Sequence, residues 1–290
     1  MKVIEAFNKA APALSFEFSP PKSPEQEKHL FEVIGRLNSF HPDFVSVTYG
    51  AMGTTRAKTF AAVKEIKAGC GIEPVAHLTC VAATRDDIAR QLEELAASGI
   101  ENILALRGDP PEGQKDFVPP QGGFQYAKEL IAFIKSKKPG FCLGAAGFPE
   151  GHPKAKSPQA DIDYLRQKIA AGAEYVITQL FFDNQFYFDY VSKCRAAGIK
   201  VPIIPGLMPI TNYHQIKKMT QVCGATIPHD LLERLEAKQD DAQAVSELGT
   251  EQAVCQARQL LAADVPGLHF FVMNQAEPIA TILKELRLAG

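Results

Sequence analysis

The chain has 290 residues, 31 Lys and Arg against 33 Asp and Glu, a formal net charge of -2, and a 46% hydrophobic fraction. That length suits one (β/α)8 barrel and lets roughly three quarters of the unfolded surface be buried without a staple. Balanced charge argues against a dedicated nucleic-acid binder, no apolar run reaches the roughly 18 residues of a membrane span, and the first residues lack a secretory pattern.

Eight short runs rich in β-branched or aromatic residues recur, at residues 13–19, 44–50, 73–80, 102–109, 142–148, 175–182, 201–209 and 267–274. Most are nearly continuous apolar stretches, as expected of parallel strands covered on both faces. Each is followed by a helical pattern, and eight such units close a (β/α)8 barrel. An open doubly wound sheet usually carries Gly-x-Gly-x-x-Gly after its first strand; none is present here. Ser23-Pro24-Glu25-Gln26 predicts a capping box at the first helix. Thr84 opens a helix to about residue 98 and Ser157-Pro158 one to about residue 171. Gly99, Gly172 and Gly198 stand where helices should end. The gap at residues 211–266 predicts more than one helix, broken at Pro228 and at Asp240-Asp241. The fold class is α/β: a single TIM barrel domain over residues 1–290 with extra helices between strands 7 and 8.

The six cysteines, Cys70, Cys80, Cys142, Cys194, Cys223 and Cys255, include no Cys-x-x-Cys pair. They read mostly as small core residues, and their unpaired state predicts a reducing cytoplasm. No ligand spacing for a metal is visible.

In such a barrel the chemistry sits at the C-terminal ends of the strands. Glu17 lies between Phe16 and Phe18, so the three cannot share a face. Pointing inward, it would be a carboxyl in an apolar cup, raised in pKa and able to act as a general acid. Pointing outward, it would be a solvated or salt-bridged Glu. Asp109 closes Arg107-Gly108-Asp109 and reads either as a ligand-facing carboxylate or as a turn cap. Gln179 is either a ligand-facing amide or one bonded to nearby backbone. His77 is a ligand or a satisfied core imidazole. Asp161 and Lys168, seven apart, share a helix face that by itself looks solvated. No strand-end Lys suggests a Schiff base, and no Gly-x-Ser-x-Gly elbow suggests a hydrolase. What remains suits a flat organic cofactor.

Seven ordered segments carry a resemblance. They are Ser15-Phe16-Glu17-Phe18-Ser19-Pro20-Pro21, Val45-Ser46-Val47-Thr48-Tyr49-Gly50-Ala51, His77-Leu78-Thr79-Cys80, Leu104-Ala105-Leu106-Arg107-Gly108-Asp109, His152-Pro153-Lys154-Ala155, Ile177-Thr178-Gln179-Leu180-Phe181-Phe182-Asp183 and His269-Phe270-Phe271-Val272-Met273-Asn274. Together they resemble the bacterial methylenetetrahydrofolate reductases over residues 13–288. The resemblance implies a flavoprotein barrel with tightly bound, non-covalent FAD. NADH or NADPH is the implied co-substrate and methylenetetrahydrofolate the hydride acceptor. It implies Glu17 as the general acid that opens the folate ring and Asp109 as the carboxylate beside flavin and pterin. The implied flavin contacts are Thr48, Tyr49, His77, Arg107, Gly108, Asp109, Tyr126, Ala127, Phe148, His152, Ala155, Asp161 and Lys168. The implied substrate contacts are Glu17, Asp109, Gln179, Gln275 and, in the loop after the seventh strand, Gln215.

Three positions depart from the family pattern: Phe148 for Tyr, Gln275 for Arg, and Met219 for an aromatic. The chain ends soon after the eighth strand, so an appended regulatory domain is not expected. A homo-oligomer is expected, with no nucleic-acid or membrane partner. A proline-dehydrogenase-like flavin barrel and a flavin-free, non-catalytic partner barrel are the rival readings. The former would need a pair of carboxylate-binding arginines, and Arg107 is the only strand-end one.

Overall fold

The computed structural model describes residues 1–48, 56–109 and 117–288. Eight strands pair in chain order and close on themselves, each parallel to its neighbours. They are β1 (Ala13–Phe18), β2 (Phe44–Val47), β3 (Glu73–Thr79), β4 (Asn102–Leu106), β5 (Cys142–Gly147), β6 (Tyr175–Leu180), β7 (Ile203–Leu207) and β8 (Gly267–Phe271). All eight predicted runs are strands, and each stops short of the expected C-terminal end. The apolar run outlasts the ladder because the chain leaves the barrel there and turns into the mouth loops.

The helices between them are α1 (Pro24–Asn38), α2 (Arg56–Glu65), α3 (Arg85–Ala97), α4 (Ala127–Lys137), α5 (Pro158–Ala170) and α6 (Asn184–Ala196). Between β7 and β8 come three, α7 (Tyr213–Cys223), α8 (His229–Glu236) and α9 (Ala242–Ala262), and α10 (Ala276–Glu285) follows β8. Pro228 and Asp241 are the N-caps of α8 and α9, at the predicted breaks. Ser23 caps α1 by accepting from the Gln26 N–H. The reciprocal bond differs from a full capping box: Gln26 Oε1 accepts from the Lys22 N–H at 2.8 Å instead. Thr84 and Asp87 do form the reciprocal pair at α3, at 3.2 and 2.9 Å.

Alternation along the strands sorts the side chains. Phe16 and Phe18 face outward into the layer shared with the helices. The inward positions are stratified. A floor of Val3, Phe44, Val75, Leu104, Tyr175 and Ile204 closes the N-terminal end of the barrel. Above it the buried inward groups are polar: Ser15, Ser46, His77 and His269. A third cluster, around α7, α8 and α9, extends the wall beyond β6 and β7. Cys80, Cys142 and Cys194 are buried and Cys255 is exposed.

Candidate active site

Glu17 points inward, with a side chain 14% exposed. Its setting is not the expected apolar cup. Its Oε2 lies 3.4 Å from His77 Nε2 and 3.4 Å from His269 Nε2, and it accepts from Ser46 Oγ at 3.4 Å. These neighbours come from β3, β8 and β2, so four strands meet at one carboxyl. Burial pushes Glu17 upward, but His77, His269 and the Ser46 hydroxyl together hold it below the ordinary carboxyl value. The expected upward shift is therefore corrected: the alternation that turns Glu17 inward turns two imidazoles inward with it. Burial holds His77 below its usual value, the nearby carboxyl opposes this, and His269 adds to it.

Behind His269 the chain of contacts continues. Its Nδ1 is 2.8 Å from Ser15 Oγ, which also reaches the Leu268 carbonyl at 3.3 Å. Ser15 has one proton to give. Giving it to Nδ1 leaves Nε2–H to donate to a carboxylate; giving it to Leu268 leaves Nε2 as an acceptor for a protonated Glu17. The tautomer of His269 and the charge of Glu17 are thus coupled. Neither His269 nor Ser15 was assigned a role from the sequence. The signal was available: both fall on the inward register of their strands, as Glu17 does.

A second group of residues lies between β4 and β5. Gly108 has φ +82°, and a Cβ there would stand 2.5 Å from Val81 Cγ2. Arg107 Nε donates to the Gly108 carbonyl at 3.3 Å, and Asp109 is exposed. Lys168 reaches in from α5 to donate to the Ala146 carbonyl at 2.8 Å, with its ammonium 5.7 Å from the Phe148 ring centre. Phe148 meets His152 edge-on at 4.6 Å, and the Ala155 N–H donates to the His152 carbonyl. Asp161 is buried; burial raises its carboxyl, opposed by Lys168 and a backbone hydrogen bond from His152. Burial pushes Lys168 down to about 8, against Asp161 and with Arg107. The solvated-face reading of Asp161 and Lys168 is thereby overturned: the face is turned into the barrel's rim. Burial, Arg107 and Lys168 all lower His152. Lys168 thus stands beside the buried Asp161 carboxyl, with Arg107 and His152 close enough to affect one another.

The remaining predicted residues sit around the rim. Thr48 is half-buried, with its N–H on the Phe18 carbonyl. Tyr126 is 51% exposed at the N-cap of α4, with Ala127 behind it. Tyr49 lies outside the described residues. Gln179 stands where the β6–β7 register shifts, and its Oε1 accepts from the Leu180 N–H at 2.9 Å. Such irregularities re-aim side chains next to sites. Gln215 is exposed in the first turn of α7, not in the preceding loop, because Asn212 caps the helix through the Gln215 N–H. Met219 is half-buried one turn further on. Gln275 is exposed at the N-cap of α10. Among the described residues, no hydrogen bond joins Gln179, Gln215 or Gln275 to Glu17.

Among the described residues no group of three or more His, Cys, Asp or Glu could hold a metal ion, and no helix is long and apolar enough to cross a membrane. Among the described residues, Thr79 Oγ1 and His77 Nε2 are buried and find no hydrogen-bond partner.

Residues 2–287 match the family model for methylenetetrahydrofolate reductase. The chain is 39% identical over 264 residues to 5,10-methylenetetrahydrofolate reductase of Escherichia coli, covering 91% of this chain and 87% of that one. It is 38% identical over 286 residues to methylenetetrahydrofolate reductase (NADH) 1 of Arabidopsis thaliana, covering 95% of this chain. The chain spans about half the length of the plant relatives, 48% in that case. A solved Clostridium thermocellum protein, described as binding two copies of 5-methyl-5,6,7,8-tetrahydrofolic acid, shares the fold. It has a TM-score of 0.66 at 19% identity, over 97% of this chain and 95% of that one. With the family model spanning nearly the whole barrel, this chain belongs to the methylenetetrahydrofolate reductase family.

Proposed function

We propose that the chain reduces 5,10-methylenetetrahydrofolate to 5-methyltetrahydrofolate with a reduced nicotinamide, using bound FAD. The observation that carries the reading is Glu17 at the barrel mouth with two imidazoles on one carboxyl oxygen. The overall reaction consumes one proton per hydride transferred, and this cluster is built to hold one. NADH is the favoured reductant, supported by the names of the plant relatives.

The residues present suit a flavin. Among the described residues, His77 Nε2 and Thr79 Oγ1 are buried polar atoms without hydrogen bonds, and Arg107, His152 and Lys168 suit phosphate groups. Thr48, Tyr49, Tyr126, Ala127, Phe148, Ala155 and Asp161 complete the proposed set. When bound, the flavin supplies a hydride carrier that serves the two substrates in turn.

The protein's part is proton management and orientation. Glu17 gives a proton to the imidazolidine nitrogen of the folate, whose bond to the methylene carbon breaks. Solvent at the mouth returns the proton to Glu17 between turnovers, while His269, its tautomer set by Ser15, orients the carboxyl. Asp109 stabilises the resulting iminium cation. Gln179 orients the pterin, with Gln215 and Gln275 contacting the rest of the folate. Residues 1–290 act as one catalytic barrel, in a cytoplasmic homo-oligomer whose size sedimentation would read.

The test is the visible spectrum of the purified protein under anaerobic addition of NADH and then methylenetetrahydrofolate. Bleaching followed by return is expected. In Glu17→Gln, bleaching persists while the return slows by 10²-fold or more, as for loss of a general acid. Equal slowing of both halves would remove Glu17 from the acid role. A colourless protein that takes up no flavin would remove the whole reading.

A further inference from the structure

β8 ends at Phe271, but its pairing with β1 continues. The Val272 N–H donates to the Glu17 carbonyl at 3.0 Å. The chain then turns, with the Gln275 N–H on the Val272 carbonyl at 3.0 Å. Both residues inside the turn have positive φ, Met273 at +52° and Asn274 at +55°. A turn of this kind favours Asn or Gly at its centre. Met273 carries a Cβ penalty there, so the conformation is held from outside.

The holding groups are all on Asn274. Its Oδ1 accepts from the Ser19 N–H at 3.0 Å and its Nδ2 donates to the Ser19 carbonyl at 3.0 Å. Its own carbonyl accepts from His29 Nε2 at 3.0 Å. One side-chain amide therefore satisfies both backbone groups of Ser19, as a paired strand residue would. The seam that closes the barrel runs on as backbone to Glu17 and as side chain to Ser19. The opposite edge is held by the Thr48 N–H on the Phe18 carbonyl at 2.9 Å. An amide alone offers both a fixed donor and a fixed acceptor for this task at neutral pH.

We propose that Asn274 is a positioning residue for proton transfer at Glu17. Extending the seam past the last strand pair holds the Glu17 backbone at one depth, so the carboxyl stays among Ser46, His77 and His269. The hydrogen bonds to Ser46 and His269 are both 3.4 Å long, near the limit of a hydrogen bond, so a shift of a few tenths of an ångström breaks them, and His77 Nε2 approaches to the same 3.4 Å without one. The proposal rests on Glu17 being the acid.

The experiment uses the flavin-loaded protein in two variants. Asn274→Gly tolerates positive φ and keeps the turn but lacks the amide. Asn274→Asp keeps the shape but loses the donor while its carboxyl is ionised. In both, the folate half-reaction should slow about ten- to a hundredfold while the nicotinamide half stays within about threefold. The Ser19 amide should exchange with solvent about tenfold faster or more. Protonating the new carboxyl restores a donor, so the folate-half rate of Asn274→Asp relative to wild type should rise as pH falls.

Equal slowing of both halves, an unchanged folate half, or a flat pH ratio would each overturn the proposal. Glu17→Gln separates the two readings. If it keeps the folate half, the acid assignment fails; if it loses that half while the Asn274 variants keep it, only the positioning role fails.

Discussion

At the floor of the barrel, Phe44 on β2, Val75 on β3 and Tyr175 on β6 meet as an apolar plug. Two residues further along the same inward faces stand Ser46, His77 and, beyond Ile177, Gln179. One end of a continuous interior is filled with aromatic and branched side chains. The other holds a carboxyl, two imidazoles and polar atoms without hydrogen bonds. The floor tolerates no ligand, because its space is used in packing. The mouth keeps its polar groups partly unsatisfied, which costs stability and leaves them available to bound molecules.

Four variants or conditions would sharpen that contrast, beyond the loss of the folate half expected for Glu17→Gln. Tyr175→Ala should cost about 3–5 kcal/mol in unfolding free energy, since a fully buried ring leaves a cavity. Its folate half-reaction at a temperature where it stays folded should remain near wild type. A selective loss of chemistry there would erase the division between floor and mouth.

Lys168, pushed down to about 8 by burial, offers a middle-sized test. An anion bound beside it favours the ammonium form. Flavin affinity should therefore weaken by up to about tenfold per pH unit as pH rises above about 8. Lys168→Met should bind flavin more weakly and without that pH dependence, measured by titration of the apoprotein. A wild-type affinity flat from pH 7 to 10 would move the phosphate away from Lys168.

The acid cluster makes a further prediction for thermal stability. Glu17 and His77 are both held below their ordinary values. Each therefore contributes stability that is present above its unfolded value, near 4.5 for Glu17 and 6.5 for His77, and is lost as pH falls through its folded value. The Tm of the apoprotein should fall as pH drops below about 6.5, and Glu17→Gln should flatten the more acidic part of that decline. An unchanged decline would place the sensitive groups elsewhere.

The smallest effect belongs to the floor. Among the described residues, the buried Tyr175 Oη has no hydrogen-bond partner. Removing it in Tyr175→Phe leaves stability unchanged or raises it by about 1 kcal/mol, because no hydrogen bond is lost. A clear loss by calorimetry would mean that the hydroxyl is bonded, and the floor would be less purely a packing device.

Much of this was legible from local pattern. Eight runs with helical spacers specify eight strands, because fully covered parallel strands need continuous apolar stretches. Pro228 and Asp241 mark the helix breaks between β7 and β8, because capping is a local preference. Gln215 was misassigned to a loop because the Asn212 cap that draws it into α7 is a single side-chain bond. The shift at Glu17 was misread because its causes, His77 and His269, stand 60 and 252 residues away in the chain.

The amino-acid sequence by itself determines that Glu17 faces away from Phe16 and Phe18, the number of strands and the family. These depend on periodicity and ordered motifs, which are properties of the chain alone. Only the tertiary structure decides which charges surround that carboxyl, that Asp161 and Lys168 face inward, and that Asn274 grips Ser19 across the closing seam. Those depend on the register of strands distant in sequence, which exists only once the barrel has closed.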